Sequence, residues 1–232
     1  YKVTGVQTCA LPILPQYRSD LEIMVRTNVL KLIHSVQQHE MCRVLSYVSF
    51  SNACRNMTSP RYPDGSMEEF TVREARDEDS QRLADIYNHY VINTHVSFDT
   101  EPVTAPARRK WLSHYNRNPL HRLFVGTANG QVVGYSSSSE FRPKPAYYRS
   151  VETTIYLAPE ALGNGWGKRL YQHLIDQLTN TDVKRCYGII ALPNDASVTL
   201  HAELGFREVA HLTDVGFKFN KFWDTLWMEL SL

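Results

Sequence analysis

Three glycines alternate in a short loop that joins a strand-like segment to a helix-like segment. Val151–Leu157 is rich in β-branched residues, and the leucines at 170, 174 and 178 recur on one helical stripe. The loop between them reads Leu-Gly-Asn-Gly-Trp-Gly-Lys over residues 162–168. Glycines at a helix start leave backbone N–H groups accessible where the helix dipole is positive. The segment therefore predicts an anion site, and Lys168 adds a positive charge beside it.

The spacing of these glycines, GxGxG, differs from that of two better-known phosphate loops. A dinucleotide fold uses GxGxxG with an acidic residue at the end of a second strand, and a P-loop uses GxxxxGK[ST]. The loop matches neither pattern. It favours a phosphorylated cofactor held through its pyrophosphate, and a flexible turn without a ligand is the alternative that the loop alone leaves open.

Short strand-like and helix-like segments follow one another from Met67 onward. Asn129-Gly130 favours a tight hairpin because both residues tolerate positive φ. The predicted strands are Phe70–Glu74, Leu123–Ala128, Gln131–Ser137, Val151–Leu157, Arg185–Leu192, Phe206–His211 and Phe222–Leu230, and the predicted helices are one that begins at Asp77–Asp79, Ala105–Tyr115, Gly167–Leu178 and Asp195–Leu204. The order βααββ(β-loop-α)βαββ predicts an α/β domain of three layers, with a mixed, mostly antiparallel sheet flanked by helices.

Composition and charge exclude several classes of protein. The formal net charge of the 232 residues is +1, which gives no electrostatic footprint for nucleic acid, and no run of 18 or more apolar residues marks a membrane span. The four cysteines, at positions 9, 42, 54 and 186, form no CxxC pair, so no metal site and no disulfide framework is predicted. We expect a soluble protein of the reducing cytoplasm.

The first 66 residues are predicted to lie outside the working domain, which we place at residues 67–232. Residues 1–13 contain Val-Thr-Gly-Val-Gln-Thr-Cys-Ala-Leu-Pro-Ile and resemble the translation of a sequencing-library adapter more than a natural leader. Residues 14–66 then read as a non-native or disordered extension, because Met67 opens a stretch typical of a natural start. The alternative is an amphipathic helix or a targeting leader, since apolar residues recur at 21, 25, 29, 32 and 36.

The glycine loop and five further blocks of sequence resemble the GNAT acetyltransferase superfamily. The signature Q/R-x-x-G-x-G/A corresponds to Leu162, Gly165 and Gly167, and Leu162 replaces the usual Gln or Arg, from which we expect weaker or altered CoA binding. The blocks Tyr87–Val91, Ser97–Val103, Phe141–Pro159, Leu192–Phe206 and Val215–Asp224 are similar to the phosphinothricin acetyltransferase branch. The resemblance spans nearly all of residues 70–230 and implies the GNAT fold with acetyl-CoA as co-substrate.

A carboxylate in the strand before the loop is the first candidate for catalysis. An amine acceptor is mostly protonated near neutral pH, so acetyl transfer needs a group that removes a proton. Glu152 shares one face of the strand with Thr154 and Tyr156, and burial would raise the pKa of its carboxyl toward a useful basic range. The resemblance implies that Glu152 is the general base and that His201 assists it or orients the substrate. A solvent-facing glutamate and a structural histidine are the alternatives.

The resemblance also implies which residues bind the two substrates. Those for acetyl-CoA are Ile155, Tyr156 and Leu157 at the pantetheine, Gly163, Asn164, Gly165, Trp166, Gly167 and Lys168 at the pyrophosphate, and Asn194 and Ser197 at the lower arm. Those for the acceptor are Phe98, Lys144, Tyr147 and Thr154, with Lys144 attracting a carboxylate or phosphinate. From the residues alone, Asn194 is equally a helix N-cap and Lys144 equally a loop lysine.

Together these observations predict transfer of an acetyl group from acetyl-CoA to the amine of a small amino-acid-like molecule, such as phosphinothricin, methionine sulfoximine or methionine sulfone. The resemblance implies a homodimer with acceptor sites near the interface, and no nucleic-acid or membrane partner is predicted. Two alternatives stay open. A protein-amine acetyltransferase would favour an open groove, and a catalytically weak acyl-CoA-binding sensor is motivated by Leu162, although Glu152 and His201 argue against it.

Overall fold

The structure is a computed structural model that describes residues 69–232. The predictions for residues 1–66, namely the adapter-like segment and the extension or leader after it, lie outside the described residues. The strands are β1 (Phe70–Glu74), β2 (Leu123–Ala128), β3 (Gln131–Glu140), β4 (Ser150–Leu157), β5 (Arg185–Ala191), β6 (Arg207–Lys218) and β7 (Lys221–Ser231). The α helices are α1 (Ser80–Asn93), α2 (Ala105–Leu112), α3 (Trp166–Thr179) and α4 (Asp195–Glu203).

All seven of these strands form one sheet in the order β1-β2-β3-β4-β5-β7-β6. The β4–β5 pair is parallel, and the other neighbouring pairs are antiparallel. Parallel neighbours need a crossover connection. Here the chain supplies it by continuing from β4 through the glycine loop and α3 before it returns as β5. The predicted mixed, mostly antiparallel sheet is confirmed.

Helices cover both faces of the sheet, which gives the three predicted layers. On one face, α3 buries Leu170, Leu174 and Leu178 completely, and burying each such side chain contributes about 1.5–3 kcal/mol to folding. On the other face, α1 brings Tyr87 edge-on to Tyr156 of β4, with ring centroids 5.3 Å apart. The alternation of side chains along β4 therefore sends neighbouring residues into two different helix layers.

The hairpin between β2 and β3 turns at the predicted dipeptide. Asn129 has a φ of 50° and Gly130 a φ of 79°, and Ala128 pairs with Gln131 across the turn. Positive φ at both central residues defines the type I′ turn, whose twist matches that of the flanking strands. The local signal read from Asn129-Gly130 thus sets the pairing of β2 and β3 next to the turn, and an irregularity between Gly126 and Thr127 shifts the register farther along.

The predicted end of the sixth strand at His211 is wrong, because β6 continues to Lys218. The pairing with β7 shifts register between Leu212 and Gly216, and Asp214 within that interval has a φ of 55°. A bulge of this kind interrupts the strand pattern without ending the strand. Similarly, the second predicted helix ends at Leu112 rather than at Tyr115.

A substitution at Gly130 tests how strongly the β2–β3 turn depends on positive φ. No atom lies within 4 Å of a Cβ built at Gly130, so the cost of Gly130→Ala is conformational and not steric. We expect Gly130→Ala to lower the free energy of unfolding of the full chain by about 1 kcal/mol, measured by urea denaturation. Gly130→Asn is the matched control and should lose less, because asparagine tolerates this conformation. Equal losses for the two variants would contradict the assignment.

Candidate active site

The central feature of the site is a cleft that opens where β4 and β5 separate. The two strands pair only over Ser150–Glu152 and Arg185–Tyr187. Beyond that point they part, and a cavity of about 560 Å³ lies between them, bordered by the glycine loop and α4. Both strands keep their outer partners, β3 and β7. The backbone edges that face the cleft are therefore exposed to whatever occupies it.

Most of the residues expected to bind acetyl-CoA line this cleft. They are Ile155, Tyr156, Leu157, Gly163, Gly165, Gly167, Lys168, Asn194 and Ser197. Asn164 is exposed outside the lining, and the Trp166 ring is buried against Phe70 with centroids 5.5 Å apart. A contact from Trp166 to a ligand in the cleft would therefore have to come from its backbone.

The glycine loop forms an open cradle at the first turn of α3. Gly163 and Gly165 have φ values of 82° and 72°, and nothing lies within 4 Å of a Cβ built at either position. Gly165 is the N-cap of α3, so the first amides of the helix, which lack partners within the helix, follow directly. The cradle and these amides fit a pyrophosphate group, the use that the sequence predicts.

Lys168 and Leu162 lie at the same end of the cleft and bear on how it could bind a pyrophosphate. The Lys168 ammonium lies 3.0 Å from a Glu203 carboxylate oxygen, and both side chains are about half exposed. The positive charge expected beside the pyrophosphate is thus already paired with a carboxylate that also lines the cleft. Leu162 is 56% exposed at the cleft, where it offers no hydrogen-bond donor.

Asn194 and the Leu157 carbonyl have partners within the protein. The Asn194 side chain accepts a hydrogen bond from the Ser197 amide at 3.2 Å, which makes Asn194 the N-cap of α4. Tyr90 donates from its hydroxyl to the Leu157 carbonyl at 2.7 Å. No role for Tyr90 is predicted from the sequence, because its polar contact with β4 arises only from tertiary packing.

Glu152 lies at the point where the cleft begins. It is opposite Ser139 of β3 and Tyr187 of β5, and it is the last residue at which β4 pairs with β5. No hydrogen bond from another described residue reaches its carboxylate, while burial raises its pKa and the nearby Arg142 guanidinium opposes that rise. A carboxylate in this setting is suited to accepting a proton.

A second cavity, of about 330 Å³, lies on the α1–α2 face of the sheet. Glu152, Thr154 and Tyr156 line both this cavity and the cleft. Their partners across the β3 ladder, Ser139, Ser137 and Tyr135, also line the cavity, because residues opposite each other share a face. Phe98 and Thr154, two of the four residues expected to bind the acceptor, therefore meet here.

The other two residues expected to bind the acceptor lie elsewhere. Lys144 and Tyr147 are exposed on the segment between β3 and β4, and neither lines the cleft or the second cavity. Tyr147 is 44% exposed and packs edge-on against Phe141 at 5.9 Å. Within the described residues, the structure does not bring Lys144 and Tyr147 together with Phe98 and Thr154.

His201 lies on the opposite face of the sheet from Glu152. Its Nε2 is 3.1 Å from the Tyr171 hydroxyl, which is 2.7 Å from the Thr153 hydroxyl, and Thr153 points away from the face of Glu152. His201 Nδ1 is 2.8 Å from the Ser197 carbonyl, so Nδ1 carries the hydrogen. Burial lowers the pKa of His201 despite this carbonyl, which keeps the ring neutral near pH 7.

Comparison with known proteins identifies the family. Residues 72–227, more than half of the chain, match the family described as Acetyltransferase (GNAT) domain. The chain belongs to the GNAT acetyltransferase family. It is accordingly an N-acetyltransferase, and its three-layer architecture is the GNAT fold that the sequence predicted.

Several named proteins are similar to this GNAT enzyme. It is 47% identical to a phosphinothricin N-acetyltransferase of Streptomyces coelicolor over 71% of this chain and 97% of that protein. It is 32% identical to an L-methionine sulfoximine/L-methionine sulfone acetyltransferase of Salmonella typhimurium over 70% and 94%. A crystal structure of a Sinorhizobium meliloti phosphinothricin acetyltransferase with acetyl-CoA aligns with a TM-score of 0.68 and 30% identity, over 70% of this chain and 88% of that one.

Two classes of feature are missing from residues 69–232 of the GNAT enzyme. None of the helices there combines the length and apolar character needed to cross a membrane. No group of three or more His, Cys, Asp or Glu side chains in that range is arranged to hold a metal ion.

The raised pKa of Glu152 predicts how stability depends on pH. Because the pKa is higher in the folded protein than in the unfolded chain, ionisation of Glu152 destabilises the fold above the folded pKa, and the penalty disappears below the unfolded value of about 4.3. We expect Glu152→Gln to raise the free energy of unfolding at pH 7 by about 1 kcal/mol, a gain that shrinks as the pH falls toward 4. Urea denaturation across this range measures it.

The matched control for this experiment is Glu101→Gln, at an exposed glutamate. It should change stability little at any pH, because an exposed carboxylate keeps its hydration. A Glu152→Gln variant that is less stable than the parent at pH 7 would show that the carboxylate has a stabilising partner.

Proposed function

We propose that this GNAT enzyme transfers an acetyl group from acetyl-CoA to the amine of a small amino-acid-like acceptor, with Glu152 as the general base. Phosphinothricin, methionine sulfoximine and methionine sulfone are the acceptors of first choice, since similar proteins are named for them. The observation that carries the proposal is the position of Glu152, which lines both the cleft and the second cavity. A base placed between two binding sites can reach the atoms of both ligands.

The cleft fits acetyl-CoA. The open glycines at 163 and 165 and the amides of the first turn of α3 would hold the pyrophosphate, and the free edge of β4 would offer backbone groups to the pantetheine. Lys168 would exchange Glu203 for a phosphate oxygen. When bound, acetyl-CoA supplies the activated acetyl carbon and a thiolate that can leave.

The second cavity would hold the acceptor with its amine toward Glu152. The carboxylate takes a proton from the ammonium group, and the amine nitrogen then bonds to the acetyl carbon while the bond from that carbon to sulfur breaks. The sulfur leaves with the electron pair as the CoA thiolate, the nitrogen loses one further proton, which the thiolate takes up, and the amide product keeps the acetyl group. The raised pKa of Glu152 makes its carboxylate a stronger base for the first step.

His201 is assigned a positioning role. The hydrogen bonds that join Thr153, Tyr171 and His201 connect β4, α3 and α4 beneath the cleft. The His201 ring also packs against Gly188 of β5, where a Cβ would overlap it. These contacts hold the two diverging strands and α4 in place, and they reach Glu152 only through β4.

The form of the second cavity supports a small acceptor over a protein amine. Aromatic rings from three elements line it, namely Tyr87 of α1, Trp111 of α2 and Tyr135 of β3. Walls on several sides suit a compact molecule, whereas a protein amine needs an open groove. A protein that only binds acyl-CoA as a sensor would not need a second cavity that meets the cleft at a carboxylate.

A homodimer is the proposed assembly, as the family resemblance implies. The β6–β7 hairpin exposes more than half of Val215, Phe217, Phe219 and Phe222, and an exposed apolar surface of this kind marks an interaction site. Phe98 of the second cavity packs directly on Gly216 of the same hairpin. This contact supports an acceptor site beside the proposed interface.

Charge on the hairpin should separate the two subunits. We expect the parent to sediment as a dimer at micromolar concentration and Phe217→Asp/Phe222→Asp to sediment as a monomer, since a buried unpaired carboxylate is costly. Ile92→Asp, at an exposed apolar residue of α1, is the matched control and should leave the dimer intact. A monomeric parent would refute the assembly.

The proposed reaction is tested by thiol release from acetyl-CoA. We expect the full chain to release CoA in the presence of phosphinothricin, methionine sulfoximine or methionine sulfone, and Glu152→Gln to lower kcat by about 10²–10⁴-fold, because an amide cannot take the proton. Activity of the parent should rise as the pH passes upward through the pKa of Glu152.

Acetyl-CoA binding, measured by calorimetry, should be retained in Glu152→Gln, and Glu101→Gln should keep full activity. Release with none of the small acceptors, despite binding of acetyl-CoA, would shift the function to a protein amine or a sensor. A fully active Glu152→Gln variant would remove Glu152 from the role of base.

A further inference from the structure

A buried arginine in the second cavity has no assigned task. Arg108 of α2 is only 6% exposed, and two of its guanidinium nitrogens, Nε and Nη2, are buried without a hydrogen-bond partner. An arginine at this depth is rarely left unpaired, because removal of its charge from water is compensated only by hydrogen bonds and an opposite charge. The unused donors of Arg108 therefore point to a partner that residues 69–232 do not supply.

The aromatic surroundings of Arg108 hold its guanidinium in place without using its N–H groups. The guanidinium carbon lies 4.3 Å from the ring centroid of Tyr87 and 4.5 Å from that of Trp111. Such contacts engage the π face of each ring and stabilise the cation by about 1 kcal/mol or more. They orient the group without forming hydrogen bonds to its N–H groups, and Arg108 lines the second cavity.

The ion pairs of the described residues do not neutralise Arg108. Among residues 69–232, none of the ion pairs includes it. Asp99 and Glu152 are the two carboxylates that line the same cavity. Asp99 accepts a hydrogen bond from the Tyr87 hydroxyl at 2.7 Å, and the cation that affects Glu152 is Arg142. The cavity thus holds a buried cation and a separate, unbonded carboxylate.

We propose that Arg108 binds the carboxylate of the amine acceptor. This inference rests on the proposed function and names the residue that selects acidic acceptors. An amino acid carries an ammonium and an acid group a few ångströms apart, so Glu152 and Arg108 in one cavity match its two charges. Thr225 adds a buried hydroxyl without a partner to the same wall.

In this proposal a buried residue, Arg108, binds the acid group instead of the exposed Lys144. Lys144, the residue expected from the sequence to attract the acid group, is exposed and lines neither cavity. A buried guanidinium discriminates more strongly than an exposed ammonium, because the field of its charge is not screened by water. An acceptor without an acid group would leave Arg108 unpaired, which is the physical origin of the expected selectivity.

The experiment compares an acidic acceptor with its neutral counterpart. The substrates are L-methionine sulfone and L-methionine sulfone carboxamide, and kcat/KM is measured for the parent, Arg108→Met and Arg109→Met, all as full chains. Arg109 is the matched control, since it is the exposed neighbour of Arg108 on α2 and loses the same charge. We expect Arg108→Met to lower kcat/KM for the acid about 100-fold and for the carboxamide less than threefold, while Arg109→Met keeps the parent's ratio.

A purely structural role for Arg108 gives a different result. Loss of the aromatic contacts alone would lower activity with acid and carboxamide equally, and an unchanged ratio in Arg108→Met overturns the proposal. If Arg108→Met does not fold, Arg108→Lys keeps the charge but loses the planar pair of donors, and a reduced ratio in that variant is the supporting result. A parent-like ratio in Arg108→Lys overturns the proposal.

Phosphinothricin and its carboxamide give a second test of the α-carboxylate. Dependence on Arg108 for phosphinothricin alone supports the proposal, and equal dependence for both compounds overturns it. If the parent turns over none of these amines, the proposed function fails separately, and calorimetry with L-methionine sulfone and the CoA-saturated chain decides the inference. Binding to the parent but not to Arg108→Met supports it, and equal or absent binding overturns it.

Discussion

The structure depends on the point at which two parallel strands stop pairing. After Glu152, β4 and β5 each keep one hydrogen-bonded neighbour and give up the other. Packing must hold the separated strands in place, and the contacts of Tyr171 and His201 beneath the cleft contribute to that support. The same separation creates the cleft, leaves a strand edge facing it and places Glu152 at its apex.

Local sequence signals predicted the elements of the fold well. The Asn129-Gly130 turn and the stripe of leucines in α3 are decided by backbone conformation and periodicity, which a sequence displays directly. The end of β6 was not predictable in this way. Asp214 and Gly216 look like a turn, and only pairing with β7 on the far side of the bulge keeps the strand intact.

Some residues of the candidate site could likewise be predicted from local sequence, and others could not. Gly163 and Gly165 act through conformation and could be recognised from spacing alone, and the face of Glu152 follows from alternation along a strand. Arg108 lies on a helix that is 44 residues earlier in the chain than Glu152, and no local pattern distinguishes it from exposed Arg109. Its burial depends on the packing of Tyr87 and Trp111 around it, which is a tertiary property.

The wall formed by Glu152, Thr154 and Tyr156 belongs to both cavities. Changes in this wall made by evolution or by engineering would alter the fit of both ligands together. Residues that line the second cavity alone, such as Phe98 and Ser137, are free of that constraint. Divergence of acceptor preference among enzymes with this arrangement should therefore concentrate in the α1–α2 layer and on β3, while β4 stays nearly constant in sequence.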